Sequence, residues 1–247
     1  MTEATEIPPP PWRRPKKSAR QRRPLSQELI VDTAMRILDA EGLDALSMRR
    51  VALELQTGPA SLYAHVANKD ELLELMIDRI TGELDVPVPD PDRWQEQIVE
   101  AGMEAHRVWT RHPGIARAAL ANIPLGPNSL RYSEALLSVL RAGGVPDERA
   151  GWFVDRLSLY VLADAFEDSL HHERGRRTEE DAREYFEQVR TYFHSLPPGR
   201  FPVITSMVDA LVGGDGDERL RYGLELLVRG LASYVPDRPG TSTGQAG

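Results

Sequence analysis

Apolar residues recur at three- and four-residue steps along most of the chain, and no segment alternates regularly enough to read as a strand. The first helical stretch follows Ser26, a good N-cap. Leu29, Ile30, Thr33, Ala34, Ile37 and Leu38 share one face, and Gly42 closes the helix. Ser47 caps a second, shorter helix that reaches Leu55 with Val51, Ala52 and Leu55 as its apolar stripe. QTGPA, with Gly58 and Pro59, predicts a tight turn, and SLYAHV from Ser61 to Val66 predicts a third short helix. Asn68 then caps a long helix, NKDELLELMIDRITGEL, with Asp70 and Glu71 in its first turn.

A proline-rich break, VPVPDPD from Val86 to Asp92, reads as a hinge or boundary. Beyond it the spacing predicts helices near 92–111, 114–121, 127–142, 146–174, 178–195, 201–212 and 217–235, punctuated by prolines and by Gly143–Gly144 and Gly213–Gly214. Residues 1–24 are rich in proline and then basic, and read as a disordered arm; residues 236–247 read as a disordered tail.

Composition removes several function classes. The chain has 247 residues and no cysteine, so disulfide frameworks, thiol nucleophiles and cysteine-based zinc sites are excluded. No run approaches the ~20 apolar residues of a membrane span, and the acids and prolines of MTEATEIPPPP do not make an export signal. The expectation is a cytoplasmic protein with no membrane partner.

Charge is unevenly divided. Pro10 to Lys69 carries eleven basic and six acidic residues, whereas Asp70 onward carries nineteen basic and thirty acidic ones. Phosphate would be repelled by the acidic body, so any contact with nucleic acid belongs to the basic front. Seven Lys or Arg lie between Arg13 and Arg23 with no acid, a composition that suits either a solubilising tail or an arm lying along phosphates.

LSMRRVALELQTGPASLYAHVANKDEL, from Leu46 to Leu72, has the layout of a helix-turn-helix: one helix across the backbone, a turn, and a second helix sized for the major groove. Gly58, Ala60, Ser61 and Ala64 are small enough for close approach. Leu62, Tyr63, His65, Val66, Asn68, Lys69 and Leu72 fill a signature of the form Leu-Tyr-x-His/Tyr-Val-x-Asn-Lys-x-x-Leu, and the chain resembles the tetracycline-repressor (TetR) family over about residues 26–80. A weaker resemblance to the tetracycline-repressor branch runs on through RWQEQ, TRHPG, FED and YGLELLVRGL.

The resemblance implies an all-α homodimer: an N-terminal three-helix DNA-binding domain at 25–70 and a larger helical ligand-binding and dimerisation domain at 71–235. It implies double-stranded operator DNA and a small-molecule effector as partners, with repression as the usual outcome. It places Arg49 and Ser61 at base edges, and Tyr63, His65 and Lys69 on phosphates. Two long helices, near 146–174 and 217–235, would pair with their mates in a four-helix bundle. IARAAL, where that branch keeps its metal-holding histidine, contains none; only Glu167 matches the metal-water site, so magnesium-tetracycline is not the expected ligand.

Polar groups on apolar helices mark a candidate effector site. Met103, His106 and Trp109 share a face of one predicted helix; Trp152, Asp155, Tyr160, Asp164 and Glu167 lie on another. A buried polar group needs a partner, and a ligand can supply one, though ordinary core packing accounts equally for the apolar members. Glu167, Asp168, His171 and His172 have a spacing that can bind zinc, but read more simply as a solvated helix end with histidines favoured by the dipole. No elbow, triad or phosphate loop is present. The expectation is therefore no catalytic residue, no metal and no cofactor; the alternative is an all-α small-molecule-binding enzyme that retains a helix-turn-helix-like fold.

Overall fold

The computed structural model describes residues 24–236 except 113, 121 and 174–178. The basic arm before residue 24 and the tail after 236 lie outside the described residues. The described residues form helices and connecting turns with no strand.

Three helices make the front. They are α1 (Gln27–Glu41), α2 (Met48–Glu54) and α3 (Pro59–Leu62). Ser26 and Ser47 cap α1 and α2 as their spacing predicts, each hydroxyl accepting from an amide three residues on. Ile30, Leu38, Val51, Leu62 and Val66 are buried to within 1 % and hold the three together. The long helix α4 (Lys69–Thr81) follows, capped by Asn68, whose Oδ1 accepts from the Glu71 amide at 2.8 Å.

Two details of the turn differ from the sequence expectation. The third helix begins at Pro59 rather than Ser61, because Gly58 serves as its N-cap and proline suits the first helical position. It also ends at Leu62 rather than Val66; within the turn, Gln56 is left-handed (φ 52°) and Gly58 is extended (φ −80°). Gln56 N donates to Leu53 O and Thr57 N to Ala52 O, the paired bonds that usually end a helix on glycine. Gln56→Gly is expected to stabilise the protein by about 0.5–1 kcal/mol, since only glycine takes this conformation without strain. Denaturant unfolding would show it as a higher midpoint at unchanged slope.

The body contains α5 (Trp94–Thr110), α6 (Ile115–Ala119), α7 (Pro127–Ala142), α8 (Asp147–Glu173), α9 (Glu179–His194), α10 (Pro202–Ser206), α11 (Val208–Val212) and α12 (Gly216–Ala232). The predicted 201–212 helix is thus two helices, broken at Met207. The hydroxyls of Thr205 and Ser206 bond back to the Phe201 and Val203 carbonyls, which competes with helix continuation. α5 is central and packs against α7, α8 and α12. A Cβ at Gly102 would stand 2.8 Å from Leu224 Cδ2, so glycine is what lets α5 and α12 close up.

α8 and α12 each keep an apolar face turned outward. Trp152 and Leu159 on α8, and Tyr222 and Leu226 on α12, are between 36 % and 64 % exposed. No described helix is long and apolar enough to cross a membrane.

Candidate DNA-reading surface and effector cavity

Thr57 to Ser61 and Tyr63 to His65 line the outside of the turn and α3; all but the half-buried Thr57 are exposed, while Leu62 and Val66 point inward as anchors. Tyr63 is 52 % exposed, so its ring is not buried under α1. Arg49, Ser61, His65 and Lys69 are exposed as well.

The two arginines that open α2 divide their work. Arg50 donates to Glu41 on α1 and to Glu54 one turn on, and these carboxylates raise its pKa above the usual arginine value. It is committed to the fold. The side chains of Arg49 and Lys69 make no hydrogen bond or ion pair among the described residues. Two free cations therefore flank an exposed, small-residue helix, with the N-terminus of α4 beside Lys69 adding a positive dipole end.

A cavity of about 460 Å³ opens within the body, in the size range of small-molecule sites. α4 contributes Ile77 and Thr81 to its wall, α5 contributes Ala105 and Trp109, α7 contributes Ser129 and Tyr132, and α8 contributes Asp155 and Ser158. The wall is mostly apolar, with scattered hydroxyls and the amide of Asn122. Tyr132 is buried, and desolvation followed by the charge of Glu104 pushes its pKa well above the ordinary tyrosine value. Its hydroxyl donates to the Ala101 carbonyl at 3.4 Å.

Of the residues marked in the sequence, Trp109 and Asp155 line this cavity and the others do not. Met103 is core, 4 % exposed. Trp152 faces outward, with the Arg149 guanidinium 4.9 Å from its ring centre. Tyr160 leans over Gly223 of α12. Glu167 is exposed and lies 3.9 Å from His171.

His106 finds its partners in the protein rather than in a ligand. Its Nε2 lies 3.0 Å from Asp164 and 3.4 Å from Asp168 across the α5–α8 contact. The N–H is poorly aligned with either carboxylate, so charge rather than a directed bond holds the contact. Burial alone would lower the His106 pKa, but the two carboxylates outweigh it and lift the value to about 9. No cluster able to hold a metal occurs among the described residues.

Sequence inspection missed most of the wall, including Thr81, Ser129, Tyr132 and Ser133. One signal was available: Ser129, Tyr132 and Ser133 fall at i, i+3 and i+4 on the predicted 127–142 helix.

An exposed helix-turn-helix joined through α4 to a helical body with an internal chamber defines a ligand-responsive DNA-binding regulator. Comparisons with known proteins agree. Residues 30–76 match the family described as bacterial regulatory proteins, tetR family, and residues 86–235 match the tetracyclin repressor-like C-terminal domain. The chain belongs to the TetR family, whose members are transcriptional repressors that bind operator DNA as dimers and respond to small molecules.

The chain is 33 % identical over 234 residues to the HTH-type transcriptional repressor DrrR1 of Streptomyces coeruleorubidus, covering 94 % of this chain and 86 % of the relative. Apo ActR from Streptomyces coelicolor superposes with a TM-score of 0.78 at 42 % identity, covering 87 % of this chain and all of that one. ActR in complex with actinorhodin gives 0.80 at 44 % identity, covering 87 % and 98 %.

Proposed function

We propose that the chain represses transcription from a palindromic operator and lets go when a mostly apolar, oxygen-bearing molecule fills the cavity bounded by α4, α5, α7 and α8. One observation carries the reading: α4 begins beside the recognition segment at Lys69 and lines the cavity about two to three turns later, at Ile77 and Thr81. At about 1.5 Å per residue, the helix is a lever roughly 20 Å long between the two sites. An occupant that prefers one position of α4 shifts the spacing of the two recognition helices away from one DNA turn, ~34–36 Å.

In this reading Arg49 and Ser61 meet base edges, while Tyr63, His65 and Lys69 grip phosphates. The outward apolar faces of α8 and α12 meet their equivalents in the second copy. The DNA-binding unit spans 25–70, and 71–235 binds effector and partner. The protein works in the cytoplasm, where its operator is, and is not an enzyme; the likeness to named regulators rather than enzymes supports this.

The effector is actinorhodin or a molecule of similar size and polarity, an inference supported by the likeness to ActR in complex with actinorhodin. The test is selection of bound fragments from genomic DNA, followed by titration of the retained complex with actinorhodin. One enriched palindrome, released in a saturable way, is expected. Enrichment of no sequence over bulk DNA would sink the operator reading.

A further inference from the structure

One turn of α4 faces two ways. Ile77 and Thr81 look into the cavity, while Asp78 and Gly82 grip the first turn of α7. α7 has no side-chain cap of its own, because its N-cap is Gly126. Asp78 supplies the missing cap from a different helix. Its Oδ1 accepts from Ser129 N at 2.9 Å and from Ser129 Oγ at 3.1 Å, and its Oδ2 accepts from Asn128 Nδ2 at 3.0 Å.

The contact depends on two glycines. A Cβ at Gly126 would overlap the Asp78 carboxylate, and one at Gly82 would stand 3.0 Å from Asn128 Nδ2. Ser129 is 3 % exposed, and it also lines the cavity. An occupant therefore touches α4 directly and also touches the residue whose amide and hydroxyl hold Asp78. Asp78 is not among the residues proposed to read DNA and does not itself line the cavity.

We propose that Asp78 is a positioning residue: its cap on α7 is the joint through which cavity and recognition segment sense each other. The effector arm of this proposal rests on the function proposed above; the DNA arm does not. Coupling is reciprocal, so operator binding must also be felt at the joint.

The experiment uses full-length protein with and without the selected operator fragment and reads backbone hydrogen exchange in residues 126–134. In wild type, operator binding is expected to change exchange there at least threefold. In Asp78→Ala that change should fall below half of the wild-type response. Asp78→Asn, whose carbonyl still accepts from Ser129 N, should lie between and serves if the alanine variant folds poorly. A wild-type response in Asp78→Ala, or no response in wild type, overturns the proposal.

A second arm measures operator affinity with and without actinorhodin. The ratio should shrink at least fivefold in Asp78→Ala, and an unchanged ratio also overturns the proposal. If actinorhodin leaves the wild-type complex intact, the effector reading fails by itself, and the exchange arm still decides for or against Asp78.

Discussion

Raising the pH from about 6.5 to about 9.5 is expected to remove roughly 2 kcal/mol of stability per protomer through His106 alone. The folded-state pKa of about 9 stands above the ordinary 6.5, so the folded protein holds this proton more tightly than the unfolded chain. That contribution is complete below 6.5 and is lost as pH climbs through 9. The full shift would correspond to somewhat more than 3 kcal/mol, but Asp164 and Asp168 are partly solvated, which weakens the pairing. Urea unfolding of wild type and His106→Gln at pH 6, 7.5 and 9 isolates the term. The gap between the two should be widest at pH 6 and close toward pH 9. Parallel stability curves would show that the imidazole stays neutral in the fold. Protein concentration must be matched, because a dimer's stability depends on it.

At the DNA surface, Arg49→Ala should weaken the cognate operator by about 1–3 kcal/mol, roughly fivefold to over a hundredfold, and flatten preference at one position per half-site. The reason lies in the different fates of the two arginines. Arg49 has no partner to lose within the described residues, so its removal costs DNA contacts and not folding. Arg50→Ala should do the reverse, releasing Glu41 and Glu54 with a small loss of stability and little change in base preference. Lys69→Ala should weaken all sequences alike and reduce the slope of affinity against salt by about one. Fluorescence anisotropy on the selected operator and on single-base variants, at several salt concentrations, separates the three. If Arg49→Ala retains both affinity and preference, the face assigned to DNA is wrong.

Much of this was legible in one dimension because the information is local. Ser26, Ser47 and Asn68 cap helices through bonds three residues away, and the stripe at Ile30, Ala34, Ile37 and Leu38 repeats with the helix itself. The signature from Leu62 to Leu72 likewise sits on a continuous stretch, with buried anchors and exposed contacts in fixed alternation. Where local chemistry competed with itself the reading slipped. The third helix read as Ser61 to Val66 instead runs from Pro59 to Leu62, because Gly58 and Pro59 start it and Gln56, in the left-handed conformation, closes α2 before them.

The cavity was not legible in the same way. Its wall comes from five helices and the 120–124 connection, spread between Ile77 and Leu162, and spacing along any one of them does not say which face meets empty space. His106 and Asp164 drew attention as buried polar groups in need of a partner; they are 58 positions apart and partner each other. Asp78 drew none, since its role depends on Ser129, 51 positions away.

The amino-acid sequence by itself determined the all-α class, the caps and stripes of individual helices, and the helix-turn-helix with the residues proposed to read DNA, because each follows from neighbours within one or two turns. Tertiary structure alone decided which polar groups face the chamber, which neutralise one another and which helix caps which, because burial and pairing are settled only when distant segments share the same few cubic ångströms.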